Sequence, residues 1–251
     1  MALFKSGNPT LTEKIFTRNL QEESAGVMTA KGALTKFGFL FLMVLAGAAF
    51  TWNSFYQGVN IMPWMWGSLI GGFVIALILV FKPRWSPYLA PAYGLLEGVF
   101  VGAVSAIYNF AFAKTAPNLI MQAVGLTFGV VIAMFLLYNF RVIKATQRFK
   151  SIVFTATAGI MLFYGLALIL RMFGIQMPFI HESGLIGIGL SVFIVAIAAL
   201  NLILDFDQIE NGAAMGAPKY MEWYCAFGLL VTVVWLYLEI LRLLSKLQSR
   251  N

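Results

Sequence analysis

Charge is scarce in this sequence. Asp and Glu together number 10 in 251 residues, and all charged types make up 11%, against roughly a quarter in an ordinary soluble domain. Cys225 is the single cysteine, which excludes an intrachain disulfide and a thiol–metal cluster. His181 is the single histidine and reads as a solvated loop residue. It lies between apolar segments, so no serine–histidine pair of the kind an intramembrane protease needs can form within them. Phosphate-binding Walker loops, HExxH and GxSxG are absent, which removes the usual signatures of nucleotide, zinc and serine hydrolases. No internal repeat points to an inverted-repeat transporter. The expectation is a protein that is not an enzyme and carries no resident cofactor.

Apolar residues fill the space that charge leaves. They are 61% of the chain, and the mean hydropathy is +0.86. A soluble 27.7 kDa domain has too little interior to hide that much apolar surface, so the lipid bilayer is the expected surrounding. Seven segments are long and apolar enough to cross a hydrocarbon core about 30 Å thick. They run over residues 35–52, 64–81, 88–108, 119–137, 152–172, 184–204 and 223–244. This predicts an all-α integral membrane protein: a seven-helix transmembrane domain over 35–251, preceded by a polar tail over 1–34. The tail mixes Lys5, Lys14, Arg18 and Lys31 with Glu13, Glu22 and Glu23, unlike a cleaved secretory signal. Its TLTEKIF stretch reads as a short interfacial helix capped by Thr10 or Thr12.

The formal charge of +7 follows membrane topology rather than nucleic acid, because basic residues gather in cytoplasmic loops. With a cytoplasmic N-terminus, 12 of the 17 Lys and Arg fall on that side, including Lys36, Lys82, Arg84, Arg141, Lys144, Arg148, Lys150 and Lys219. Lys114, Arg171, Arg242, Lys246 and Arg250 fall opposite, and the basic C-terminus is the one dissent. Glycines four apart at Gly94, Gly98 and Gly102, at Gly67 and Gly71, and at Gly125 and Gly129 predict close helix packing. Trp52, Trp64, Trp66, Trp85 and Trp223 stand near span ends, where amphipathic rings favour the interface.

Ionisable groups inside spans are costly, about 2.5–3.5 kcal/mol at mid-helix on insertion scales, and mark candidate sites. Glu97 lies halfway along the third segment, too short to reach either interface, so it must be protonated, paired or beside a wet cavity. Asp205 and Asp207 close the sixth segment but stand about 200° apart on a helix. Asn201, Asp205 and Gln208 form one polar stripe suited to the bundle interior, which makes Asp205 the candidate working residue. Asp207 and Glu210 share the other face and read as headgroup-facing. Glu239 and Arg242, three apart, are explained as an ion pair at a helix end.

The segments SGNPTLTEKIF, MTAKGALTKFG, SPYLAPAYGLLEGVFVGAVS and DFDQIENGAAMGAPKYMEWYCAFGLLVTVVWLYLEILRLLSKL resemble, in order and almost end to end, the bacterial Bax-inhibitor / YccA family. The resemblance implies six helices around a central, hydrophobic seventh, in a bacterial inner membrane. It implies a pH-sensitive calcium leak, with Ca²⁺ the permeant ion, gated where a late sixth-helix aspartate shares a proton with a seventh-helix aspartate. Asp205 matches the first of these positions, and Thr232 stands at the second. Threonine can donate a hydrogen bond but cannot share a titrating proton, so a second carboxylate would come from Asp207 or Glu97. The gate residues implied are Asp205, Glu97, Thr232, Asp207 and Asn201, with Asp205 and Asp207 as transient Ca²⁺ ligands. The alternative the family offers is a non-transporting regulator whose tail engages a membrane-bound quality-control protease.

Overall fold

A computed structural model describes residues 26–174 and 184–249. The tail before Gly26, with its expected TLTEKIF helix, and His181 lie outside the described residues. Among the described residues there are seven helices: α1 (Ala30–Tyr56), α2 (Met62–Phe81), α3 (Ser86–Ala111), α4 (Leu119–Asn139), α5 (Gln147–Met172), α6 (Leu185–Ala214) and α7 (Met221–Gln248). Each contains a stretch long and apolar enough to cross a membrane. The only strand-like feature among them is a single bridge between Val27 and Pro218.

The helices overrun the segments that hydropathy marks, because their ends are polar and packed against protein. Thr29 caps α1, accepting from the Gly32 N–H at 2.9 Å, so residues 30–34 belong to the first helix and not to the tail. Thr146 caps α5 in the same way, satisfying an N–H that the helix leaves open. Prolines open α2 and α3, where the missing N–H has no bond to lose. Gly216 follows α6 with φ +66, the left-handed stop for which glycine has no steric penalty. Because α6 continues to Ala214, Asp205, Asp207 and Glu210 lie within a continuous helix rather than at its end.

Helix α7 is the axis. Its apolar stretch is 61% buried, against 11% for α5, and it packs on α1, α3, α4 and α6. One cluster of its side chains, including Ala226, Phe227, Leu230 and Val234, meets Leu40, Val44 and Tyr93 of α1 and α3. Another, including Leu229, Val233, Leu236 and Ile240, meets α4 and α6. The closest helix contact is α1 on α3. A Cβ on Gly98 would stand 2.2 Å from the Val44 carbonyl oxygen, and one on Gly102 2.5 Å from that of Ala48. The α3 glycine stripe therefore packs as its spacing predicts. Gly71 has one neighbour, a Leu96 methyl 3.2 Å from its Cβ position, whereas Gly67, Gly125 and Gly129 face nothing within 4 Å. In α4 and at Gly67 the expectation of packing glycines fails within this chain: the spacing specifies a smooth face but not a neighbour.

At one end of the bundle a buried carboxylate joins the first and last helices. Glu222, with no exposed surface, accepts from the Thr29 N–H and hydroxyl, both at 3.0 Å, from Lys36 at 2.8 Å and from Lys219 at 2.7 Å. The Met28 N–H donates to the Ala217 carbonyl at 2.7 Å, and the Lys219 N–H to that of Gly26 at 3.1 Å. Ser86 at the head of α3 donates to the Tyr220 carbonyl at 2.9 Å. This clasp end fixes where α1, α3 and α7 begin.

The glycine contacts give a direct test. Gly98→Ala should lower the apparent melting temperature in detergent, at a cost of about 1–3 kcal/mol for overpacking. Gly125→Ala should leave it unchanged, because its Cβ position is open.

Candidate functional site

The polar groups of α6 separate by helical face. Asp207 accepts from Lys150 of α5 at 2.5 Å and from the Asn211 amide at 2.7 Å. Glu210 accepts from Arg141 at 2.8 Å and from the Tyr138 hydroxyl. Asn201 donates to the Thr157 hydroxyl of α5 and to the Ile197 carbonyl, both at 2.8 Å. These three residues attach α6 to its neighbours. Asn201 therefore does not continue the Asp205 stripe as an open polar surface, and Asp207 is held by a cation rather than by the headgroup layer.

Asp205 differs from them. Its carboxyl faces α7, where the Thr232 hydroxyl is its hydrogen-bonding neighbour; that hydroxyl also reaches the Gly228 carbonyl at 3.3 Å. Its Oδ2 is the one buried side-chain polar atom among the described residues that has no hydrogen-bond partner. A cavity of about 130 Å³ lies against it, lined by Gln208, Tyr224, Cys225, Phe227 and Gly228. Nothing approaches within 4 Å of the Gly228 Cβ position, so the chamber is open on the α7 side. Gln208 and Cys225 also line a second cavity of about 770 Å³ between α5, α6 and the start of α7. Its other walls carry Gln147, Lys150, Ser151, Asp207 and Asn211. A wide, partly polar vestibule thus adjoins the small chamber at Asp205.

Glu97 is elsewhere. Its carboxyl is within hydrogen-bonding reach of the Tyr93 hydroxyl one turn earlier, and an oxygen lies 3.7 Å from the Cβ position of Gly72 on α2. Tyr93 packs edge-to-face on Phe227 at 4.8 Å, which puts α7 between Glu97 and the Asp205 chamber. The expectation that Glu97 supplies a second carboxylate beside Asp205 is therefore corrected. So is the pairing of Asp205 with Asp207 as ion ligands: they stand on different faces of one helix, and Lys150 occupies Asp207. No group of three or more His, Cys, Asp or Glu among the described residues is arranged to hold a metal ion.

Sequence reasoning placed other groups less well. Glu239 and Arg242 form the i, i+3 ion pair that their spacing suggests, and Glu239, 2% exposed, lies inside the bundle. It accepts from Arg242 at 2.9 and 3.0 Å and from the Tyr164 hydroxyl at 3.0 Å, and Arg242 also donates to Tyr164. Lys246 is 5% exposed and donates to the Gly187 carbonyl at 3.0 Å and to Ser191 at 2.9 Å. Arg242 and Lys246 are therefore packing groups rather than free C-terminal charges. Glu222 was missed altogether. Its signal was a lone glutamate entering an apolar run while lysines flank the first span, and only tertiary structure shows that these meet.

Six spanning helices arranged around a buried seventh define a multi-pass membrane protein. A family model described as Bax inhibitor 1 like matches residues 8–249, and the chain belongs to that family. A search of the curated proteins finds no match.

The vestibule makes a testable demand on Cys225, which is only 5% exposed. In the folded protein it should react with a small water-soluble maleimide. Asn211→Trp, which fills the vestibule, should slow the reaction; an equal rate in that variant would show that the vestibule does not admit water-borne reagents.

Proposed function

We propose that the protein is a pH-sensitive leak pathway for Ca²⁺ across the membrane, with Asp205 as its gate carboxylate. One observation carries this reading: Asp205 presents a buried, unpartnered oxygen to a chamber that adjoins a wide vestibule at the clasp end. A carboxylate there attracts cations, and a proton on it removes the attraction. Ca²⁺ takes 6–8 oxygen ligands. The chamber offers the Asp205 carboxyl and the Gln208 amide, with the Thr232 hydroxyl beside the carboxyl, a set suited to passing a partly hydrated ion rather than storing a bare one. With Thr232 in place of a second carboxylate, gating rests on a single titrating group. On the charge asymmetry the clasp end is cytoplasmic, and the membrane is a bacterial inner membrane. Beyond Thr232 the α5–α6–α7 seam is filled by the Glu239–Arg242–Tyr164 cluster and by Lys246, so this arrangement is a closed one.

A second reading, a non-transporting regulator of a membrane protease, draws support from the clasp. Glu222 and the Gly26–Lys219 bond hold residues 26–29 against the start of α7, a suitable anchor for a tail that recruits a partner.

Ca²⁺ uptake into dye-loaded proteoliposomes separates the two. As the pH is raised over about 5 to 8, a range wide enough for one buried carboxyl, wild-type flux should rise along a single-proton curve. Asp205→Asn should abolish the pH dependence, and Glu97→Gln should keep it. Deleting residues 1–24 should leave flux intact. Absence of flux above empty liposomes, with folded protein at every pH, would transfer the weight to the regulator, whose action the same deletion should abolish.

A further inference from the structure

On the side of α7 away from the vestibule, α1 and α4 stand apart. They meet through the edge-to-face pair Phe41–Phe128 at 5.6 Å and otherwise leave a groove of about 350 Å³ between them. The floor is formed by α3 at Val101 and by α7 at Val233, Val234 and Tyr237. Those α7 residues are 6–8% exposed, so the groove reaches the central helix. Its rim includes Leu45 and Phe128, 48% and 43% exposed, so it also opens on the outer face of the bundle.

The chemistry of the lining selects the occupant. Three hydroxyls line it, and each has its hydrogen bond within the protein. Thr127 donates to the Ala123 carbonyl at 2.7 Å. Ser105 donates to that of Val101 at 2.7 Å, and Tyr237 and Ser105 bond to each other at 2.7 Å. The hydroxyl protons are all engaged, and the one other polar side-chain group in the lining is the Trp52 indole N–H, too little to hold water; apolar cavities of this kind stay dry. An unfilled groove would forfeit dispersion contacts along its whole lining. The groove opens at the depth of the apolar spans, where the surrounding solvent is hydrocarbon.

We propose that this groove is a lipid site: the acyl chain of a bilayer phospholipid lies between α1 and α4, its methylenes against Val233 and Tyr237 of α7. The site binds chain rather than headgroup, because no charged side chain lines it. It makes the central helix, at the turn after Thr232, sensitive to the hydrocarbon around the protein. The proposal is independent of whether the protein conducts any ion.

Phosphatidylcholine carrying a diazirine on its acyl chain tests it. The full-length protein is reconstituted with this lipid and irradiated, and the adducts are mapped by mass spectrometry. Adducts should appear at Val233, Val234 or Tyr237, which bulk lipid cannot touch, as well as at outward residues such as Leu126. Filling the groove with Val124→Trp, or at its rim with Leu45→Trp, should reduce the α7 adducts by about tenfold, equivalent to roughly 1.4 kcal/mol of binding free energy, and leave Leu126 labelling unchanged. Adducts confined to outward faces would overturn the proposal. So would α7 adducts that persist in both filled variants.

Discussion

Hydrocarbon offers no hydrogen-bond partner, so every polar group within the spans has to be satisfied by the protein itself. That constraint explains the polar contacts between these helices. Helix α5 packs only lightly, yet it is joined to α6 and α7 by three polar links spread along its length: Lys150–Asp207, Thr157–Asn201 and Tyr164–Glu239. Lys246 and Arg242 turn inward because acceptors wait there. Glu222 accepts four hydrogen bonds, three of them from a segment nearly two hundred positions away and one from Lys219 beside it. Against this background of satisfied groups, the unpartnered Asp205 oxygen is the exception, and it faces a cavity.

The two sides of α7 then divide the labour. Toward α5 and α6 there is a vestibule with amide, hydroxyl and charged walls, ending at a carboxyl. Toward α1 and α4 there is a groove whose hydroxyls are all engaged within the protein. Between them α3 and α1 are locked by glycines in backbone contact, a rigid frame around the central helix. Water-borne ions and lipid chains would thus act on opposite faces of one helix, on either side of Thr232.

The number and order of the helices could be read from sequence because the bilayer imposes a length of about 20 apolar residues per span. The central position of α7 came from family resemblance, and the packing agrees with it. Asp205 was separable from Asp207 by helical angle alone, since two residues along a helix cannot share a face. Other features depend on distant partners that periodicity does not encode. The GxxxG of α3 meets α1 while the same spacing in α4 meets nothing, because the pattern makes a face smooth without naming what covers it. Lys150 lies 57 positions from Asp207 and Glu222 lies 193 from Thr29. Glu97 reads as a partner of Asp205 because depth in the membrane is readable from sequence and azimuth around a neighbouring helix is not.

The central claim is that one carboxyl at the α6–α7 seam titrates alone. Infrared spectroscopy of the protein in lipid, following the protonated-carboxyl stretch as pH is varied, tests it most directly. The account predicts a pH-dependent band that Asp205→Asn removes and Glu97→Gln leaves in place. A titrating band that survives Asp205→Asn, or a wild-type spectrum with none, would contradict it.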